Sequence, residues 1–248
     1  MSASGPQPTG GSSSADLVRD DPLPTRIFLS PVAAPPVLGY FAGACGFLLF
    51  GLWFSSELGG ATAAGALAPF LVLFAGIAQL GAGLWSIRAR EGTGAALFSM
   101  WGGFWIAYGI MWLLDVGGTI TLPFMLHGFT PLGEWFMYMA VVSATTAAAV
   151  LARNPLQFVG HLGAAVAAAM AAAALMSDAT GWQTTAGWIF VATSGLWFYH
   201  ASALMLTGTF ERVILPHGSW RMDENVPWSD PLRPVEVPQG EPGVKVGQ

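Results

Sequence analysis

The sequence predicts an all-α, polytopic membrane protein with six transmembrane helices, and two observations carry that prediction. Hydrophobic residues make up 54% of the 248 residues and charged residues only 9%, whereas about a quarter of a typical soluble domain is charged. Between Ile27 and Phe210, the ionised side chains fall at or near breaks between apolar runs. They are Glu57, Arg88, Arg90, Glu91, Asp115, Glu134, Arg153 and Asp178.

The apolar runs between these breaks are the predicted spans. They cover residues 36–54, 65–87, 94–114, 132–152, 155–176 and 184–206. In order along the chain, Glu57 follows the first span, Arg88 the second and Asp115 the third. Arg153 follows the fourth span and Asp178 the fifth. Each span is close to the ~20 residues that a helix needs to cross the hydrocarbon of a bilayer.

The fifth span has a recognisable start. Asn154 and Pro155 precede its apolar residues. Asparagine is favoured as a helix cap, and proline is favoured at the first helical position because its missing N–H has no partner there in any case. This pair therefore predicts a capped helix that begins at Pro155.

The basic residues predict the orientation of the chain. The nine Lys and Arg residues are Arg19, Arg26, Arg88, Arg90, Arg153, Arg212, Arg221, Arg233 and Lys245. With six spans, all of these positions lie on one side of the membrane, and the first, third and fifth loops contain none. Because basic loops stay on the cytoplasmic side, both termini are predicted to be cytoplasmic.

Both tails are predicted to be disordered and cytoplasmic. Residues 1–30 form the N-terminal tail, 31–218 the six-helix transmembrane domain, and 219–248 a Pro-rich C-terminal tail. The first 25 residues have no apolar stretch of the kind that signal peptides carry. Both tails are too polar to bury a core of their own.

Composition excludes several function classes. The net charge of −5 comes from scattered acidic residues rather than a run, and nothing in it indicates a nucleic-acid partner. Cys45 is the single cysteine and lies within a span, so no intrachain disulfide and no thiolate pair for zinc or redox chemistry is predicted. We expect no cofactor and no enzymatic activity.

Aromatic residues recur in the predicted helices, and structural roles explain most of them. Trp101, Trp105, Tyr108 and Trp112 share a helical spacing on the third span, which is more typical of an interhelix or lipid-facing stripe than of a permeation surface. Trp53, Trp85 and Trp197 each follow Gly-Leu. The first two end their spans, where interfacial anchoring of the ring is predicted.

Function is expected among the polar side chains at membrane depth. The candidates are Gln79, Tyr108, Gln157, His161, Tyr199 and His200. None is a permanent charge, so the spans offer no carboxylate relay for protons, and a pore lined by amides, hydroxyls and imidazoles fits better. The alternative for Gln79 is an interhelical hydrogen bond. The alternative for His161 and His200 is ligation of a haem, which two histidines on different helices allow.

The second and third spans and the segments after them carry an ordered set of motifs. They are Gly76-Ile-Ala-Gln79, Ala82-Gly83-Leu84-Trp85, Gly94, Trp101-Gly102-Gly103-Phe104-Trp105, Leu156-Gln157-Phe158-Val159 and Arg212-Val-Ile-Leu-Pro216-His-Gly218. This set resembles the signature of the acetate uptake transporter family, which comprises small six-helix carriers for acetate and related short carboxylates. The similarity covers nearly the whole membrane core.

The resemblance implies a homo-hexamer in which each protomer has its own pathway with an aromatic and apolar constriction. Trp101 stands where the family usually has a constriction tyrosine, and Gly43 and Gly163 stand where larger apolar side chains are usual. This implies a wider or differently shaped neck, filled in part by Trp101 and His161. The first-helix signature of the family also implies Leu38 and Gly39 as pathway positions, although here it reads Ala34-Pro35-Pro36-Val37-Leu38-Gly39-Tyr40 and lacks the capping asparagine.

Residues and resemblance together predict a transporter or channel for acetate and related short monocarboxylates in the cell membrane. Proton coupling, through a titrating histidine or a co-moving acid, and simple uniport both stay open. Two other classes also stay open: passage of ammonium or another small solute, and a non-transporting membrane subunit that binds a partner or a haem. The expected partners are a small carboxylate, the lipid bilayer and further copies of the chain.

Overall fold

The computed structural model describes residues 34–123, 126, 128–177, 180–221 and 225–229. The predicted N-terminal tail, 1–30, lies outside the described residues, and so does the predicted C-terminal tail from residue 230 onward. Asp178, which is predicted to separate the last two spans, also lies outside them.

Six long helices and no strands make up the part of the chain that the structure describes, which confirms the predicted fold class. The helices are α1 (Pro35–Phe54), α2 (the consecutive stretches Gly60–Phe70, Leu71–Ile77 and Ala78–Arg88), α3 (Gly92–Val116), α4 (Thr130–Val150), α5 (Pro155–Ser177) and α6 (Thr180–Phe210). They match the predicted spans to within a few residues, and the largest differences lie at the start of α2 and at the two ends of α6.

Local chemistry explains where three of the helices begin. Pro35 occupies the first turn of α1, where a missing N–H costs no hydrogen bond. At the start of α3, both carboxylate oxygens of Glu91 accept from the Gly94 N–H at 2.9 Å. At the start of α5, Asn154 Oδ1 accepts from the Gln157 N–H at 3.1 Å, which confirms the predicted cap.

The hydrogen-bonding pattern of α2 changes at mid-length. Pro69 lies inside the helix, where it has no N–H to donate and its ring crowds the carbonyl of the preceding turn. The next stretch, Leu71–Ile77, is π-helical, a wide form that is frequent at functional sites. Just beyond it the side chain of Gln79 is buried, whereas Phe74 and Ile77 lie on the outer surface.

Helices α2 and α3 form a hairpin in which small residues allow the backbones to approach closely. A Cβ atom at Gly83 would lie 2.6 Å from the backbone nitrogen of Ser99, and one at Gly109 would lie 2.8 Å from the Ala68 carbonyl oxygen. Close backbone approach is how helices associate in lipid, where burial of apolar surface contributes little.

The six helices run in alternating directions through the bundle. The most extensive helix pairs are α4 with α5, α1 with α6, α5 with α6, and α2 with α3. Contacts between facing residues place the starts of α1, α3 and α5 and the end of α6 at one end of the bundle. We call this the arginine end, because Arg88, Arg90, Arg153 and Arg212 lie in its loops or just after α6.

Five helices of the described chain are long and apolar enough to cross a membrane: Pro35–Phe54, Thr62–Arg88, Gly92–Val116, Pro155–Ser177 and Gly181–Phe210. The remaining helix, α4, is less apolar because it includes Glu134 and several Ser and Thr residues, and it packs extensively on α5. Large apolar side chains cover the outside of the bundle, among them Leu73, Phe74, Val141, Val159 and Phe198.

After α6 the chain returns across the arginine end. The Tyr199 hydroxyl donates to the Pro216 carbonyl at 2.9 Å, and the amide of Asn154 donates to the His217 carbonyl at 3.1 Å. The indole N–H of Trp220 donates to the Leu151 carbonyl at 2.9 Å. The start of the C-terminal tail at residue 219 stays a prediction. Ser219 and Trp220, at that boundary, are hydrogen-bonded to the α4–α5 loop.

Candidate functional site

The interior of the bundle between α1, α3 and α6 is filled by aromatic rings. The buried members are Tyr40, Phe47, Phe50, Trp53, Phe98, Trp101, Trp105, Tyr108, Trp112, Phe190 and Trp197. The stripe on α3 is therefore an interhelix stripe that faces α1 and α6. Trp53 also belongs to this core, and its indole N–H donates to the Gly60 carbonyl at 3.0 Å, so the predicted interfacial anchoring of Trp53 is wrong.

Gln79 lies at mid-depth of the bundle and is fully buried. Neither its Nε2 nor its Oε1 has a hydrogen-bond partner among the described residues. A Cβ atom at Gly43 of α1 would come within 2.5 Å of Gln79 Nε2, so the amide lies directly beside the first helix. Gln79 therefore makes no interhelical hydrogen bond within the described ranges, and its amide is available to a polar ligand.

Four polar side chains meet about one helical turn from Gly43 toward the arginine end. The Tyr40 hydroxyl and His161 Nε2 share a hydrogen bond of 3.0 Å. The Gln157 amide nitrogen and His200 Nε2 share another of 2.9 Å. The Tyr40 ring also contacts the His200 ring edge-on, with centroids 4.8 Å apart. We call this set the polar cluster, and it unites three of the predicted pathway residues with Tyr40.

The hydrogen bonds of the polar cluster determine where its protons lie. A side-chain amide nitrogen can only donate, so with the Gln157 amide in this orientation His200 Nε2 accepts. His200 is then neutral and carries its proton on Nδ1. That Nδ1 is buried, and so is His161 Nδ1, and neither has a hydrogen-bond partner in the described part of the structure. The cluster thus keeps hydrogen-bonding capacity that the protein itself does not use.

Trp101 lies in the next layer, away from the arginine end. Its indole N–H donates to Ser143 Oγ of α4 at 3.0 Å. Its ring meets Phe47 edge-on, with centroids 4.7 Å apart, and stacks on Trp105 at 5.5 Å. Tyr108 is buried farther along the same face of α3. This half of the interior is therefore aromatic, whereas the half toward the arginine end is polar.

Trp197 of α6 lies between the two halves. Its ring centroid is 5.1 Å from that of Tyr40 in the polar cluster and 4.7 Å from that of Phe47 on the other side. A Cβ atom at Gly43 would overlap the Trp197 ring. The space directly beside Gly43 is thus occupied by Trp197 and Gln79, and the partial filling of the neck by Trp101 and His161 stays a prediction.

Comparison with known proteins identifies the family of this chain. The sequence profile of the GPR1/FUN34/yaaH family matches residues 21–219. The chain belongs to this family. The similarity that the hairpin motifs indicated is therefore confirmed, and family membership together with the apolar helices identifies a multi-pass membrane protein.

One solved structure with the same fold is that of the bacterial acetate channel SatP, with a TM-score of 0.68. The match has 22% sequence identity and covers 75% of this chain and 98% of that chain. At this identity the match shows a shared fold. No curated protein matches this sequence.

Four other predicted pathway positions of this family member contact groups outside the polar cluster or lie on the outer surface. A Cβ atom at Gly39 would meet the Phe98 ring at 2.6 Å, and one at Gly163 would lie 2.5 Å from Thr193 Oγ1. Both glycines therefore make room for side chains of a neighbouring helix. Leu38 is 50% exposed on the outside of α1, and Tyr199 bonds the segment after α6.

The hydrogen bonds of His161 and His200 argue against the alternative that these histidines ligate a haem. Each Nε2 already has a side-chain partner, Tyr40 for His161 and Gln157 for His200. No group of three or more His, Cys, Asp or Glu that could hold a metal occurs within the described ranges. These contacts favour hydrogen-bonded imidazoles that line a polar site.

Two central residues, Tyr40 and Trp197, were not among the sequence-predicted site residues. Tyr40 carried a usable signal, since a tyrosine in the middle of an apolar span needs a partner for its hydroxyl. The four glycines of α1 at Gly39, Gly43, Gly46 and Gly51 were a second signal. Three of them face aromatic rings on other helices. Because a glycine leaves space beside its helix, each of these positions indicates that a large side chain from another helix fills that space.

Proposed function

We propose that this protein is a membrane passage for acetate and related short monocarboxylates, with one pathway in each protomer. The observation that carries the proposal is the fully buried Gln79 amide, which has no hydrogen-bond partner among the residues described. Membership of the GPR1/FUN34/yaaH family supports it. The fold shared with an acetate channel supports it as well.

The proposed pathway begins at the arginine end, where basic side chains attract an anion. The polar cluster follows, with imidazole and amide groups that can replace part of the hydration of a carboxylate. The Gln79 amide comes next and can donate to the carboxylate at mid-depth. The aromatic rings around it suit the methyl end of acetate, so the site matches an anion with one polar and one apolar end.

The proposed pathway is blocked at the aromatic layer by buried rings. Phe47, Trp101 and Trp197 are each at most 1% exposed, and their rings contact one another through Phe47. Passage therefore requires side chains in this layer to move. Brief opening of such a layer would give the slow, selective flux of a gated channel or carrier.

We further propose that six protomers assemble into a homo-hexamer and that both termini are cytoplasmic. The resemblance to the acetate uptake transporter family supports the first point. The position of the arginine loops at one end of the bundle supports the second, since basic loops remain in the cytoplasm. The neutral His200 in the polar cluster is the group through which proton coupling would act.

Flux into proteoliposomes tests the proposal. Purified protein should take up labelled acetate above the level of protein-free liposomes, and Gln79→Leu should reduce that uptake. Unlabelled acetate, succinate and methylammonium are added as competitors. Uptake of labelled methylammonium without uptake of labelled acetate would assign the passage to ammonium instead. No flux from correctly folded protein, with a stable co-purifying partner, would assign it to a non-transporting subunit.

A further inference from the structure

Trp197 occupies a slot that two glycines on different helices create. On one side is Gly43 of α1, where any Cβ atom would overlap the indole. On the other is Gly160 of α5, where a Cβ atom would lie 3.1 Å from Cδ1 and Nε1 of the indole. The ring is 1% exposed. A large side chain on α6 thus fills a gap that exists because two other helices lack side chains.

The position of the indole separates the two chemically different halves of the interior. Toward the arginine end it contacts Tyr40, at 5.1 Å between centroids, and His161, at 6.0 Å. Away from that end it meets Phe47 edge-on at 4.7 Å. The Trp197 ring therefore lies at the boundary between the polar cluster and the aromatic half, in contact with side chains of both.

Shape alone holds this indole in place. Its Nε1 has no hydrogen-bond partner among the atoms that the structure describes. By contrast, the indoles of Trp53 and Trp101 each donate a hydrogen bond of 3.0 Å. A buried ring without a hydrogen bond can turn about its side-chain torsions without leaving a broken bond behind. Gly43 and Gly160 add no side chain to the slot, and the rings that contact the indole elsewhere, Tyr40 and Phe47 among them, must shift with it when it turns.

We propose that Trp197 is the size-selecting gate of the pathway and determines which chain lengths of monocarboxylate can pass. The proposal rests on the proposed function and deepens it. A two-carbon anion passes when the indole turns by a small amount within its slot. Each further methylene group must fit into the same gap between Gly43 and Gly160, so the ring discriminates against longer chains.

The test compares uptake of labelled butyrate and acetate into proteoliposomes. Trp197→Ala should raise the butyrate-to-acetate uptake ratio by about tenfold, the size of effect that one or two methylene groups have in an apolar site. Trp197→Phe, with a smaller ring, should raise it less. The matched control is Trp188→Ala on the same helix, since Trp188 is 47% exposed, and its ratio should equal that of the wild type.

A second variant tests the slot itself. In the Trp197→Ala background, Gly160→Leu places an apolar side chain into the space that the indole leaves, since a Cβ atom at Gly160 meets only the Trp197 ring within 4 Å, and it should return the uptake ratio toward the wild-type value. Size-exclusion chromatography verifies the fold of each variant. If Trp197→Ala does not fold, the Trp197→Phe ratio decides.

The two proposals fail in different ways. If the wild type carries acetate and the folded Trp197 variants keep the wild-type ratio, Trp197 is not the gate while the proposed function stands. If the wild type carries no acetate above protein-free liposomes, the proposed function fails first. A ratio that rises equally in Trp188→Ala would also overturn the gate, since that ring lies outside the pathway.

Discussion

Gln79→Leu is expected to stabilise the protein while it slows the uptake of acetate. The amide of Gln79 is fully buried, and neither of its polar atoms has a partner among the described residues. An unpaired buried polar group costs about 1–3 kcal/mol, and leucine has a similar shape without polar atoms. We therefore expect the free energy of unfolding to rise by about 1–3 kcal/mol.

Gln157→Leu is the matched control, because it makes the same change at an amide that is bonded. The Gln157 amide donates to His200 Nε2 at 2.9 Å, so its loss leaves a buried ring nitrogen without a partner. The free energy of unfolding should fall by about 1 kcal/mol, within the range measured for hydrogen bonds between membrane helices. The two substitutions thus have opposite signs for stability.

Two measurements separate stability from transport. Reversible unfolding in mixed detergent micelles, followed by circular dichroism, gives the free energies of unfolding. Uptake of labelled acetate below saturation gives transport, which Gln79→Leu should lower by about tenfold if one charge-assisted hydrogen bond of about 1.5 kcal/mol is lost. If Gln79→Leu destabilises the protein as much as Gln157→Leu does, the Gln79 amide is bonded within the protein and the reasoning fails.

Two further predictions concern packing between helices. Ser143→Ala removes the acceptor of the Trp101 indole N–H and should lower the free energy of unfolding by about 1 kcal/mol. The control Thr145→Ala, at an exposed position of α4, should leave the free energy of unfolding unchanged. Equal effects of the two substitutions would contradict the role of this hydrogen bond. Gly187→Ala places a Cβ atom 2.5 Å from a backbone nitrogen after α1, which cannot move aside, so thermal stability in detergent should fall sharply. Gly195→Ala on the same helix meets no described atom within 4 Å and should be neutral or stabilising by up to about 1 kcal/mol. A matching loss there would contradict the close approach of Gly187 to α1 as the cause of the effect.

Much of the fold could be predicted from local sequence. The charged residues interrupt apolar runs of bilayer length, so the number and the order of the helices follow from composition alone. The cap at Asn154 was also predictable, because the asparagine and the proline that form it are adjacent in the chain. Helix α4 is the least apolar of the six, and its place in the bundle depends on packing against α5.

The site was only partly predictable. Gln79, Gln157, His161 and His200 were candidates because polar residues at membrane depth are few, and the structure brings three of them into one cluster. The sequence does not indicate that Gln79 has no hydrogen-bond partner among the described residues, or that Tyr40 bonds to His161. Both facts depend on which helices are neighbours. The same is true of the glycine slot, whose two sides are more than a hundred residues apart in sequence.

The three tryptophans that follow Gly-Leu separate what the sequence determines from what the tertiary structure decides. In each case the sequence by itself determined an apolar helix in which the tryptophan directly follows Gly-Leu. Trp53 and Trp197 are 2% and 1% exposed, whereas Trp85 is 52% exposed on the outside of the bundle. Identical local sequence gives identical helical geometry, but only the neighbouring helices decide which face is inside. Gly43 of α1 and Gly160 of α5 leave the space that the Trp197 ring fills, which is why we propose Trp197 as the gate. The Trp85 ring lies on the surface of the bundle instead.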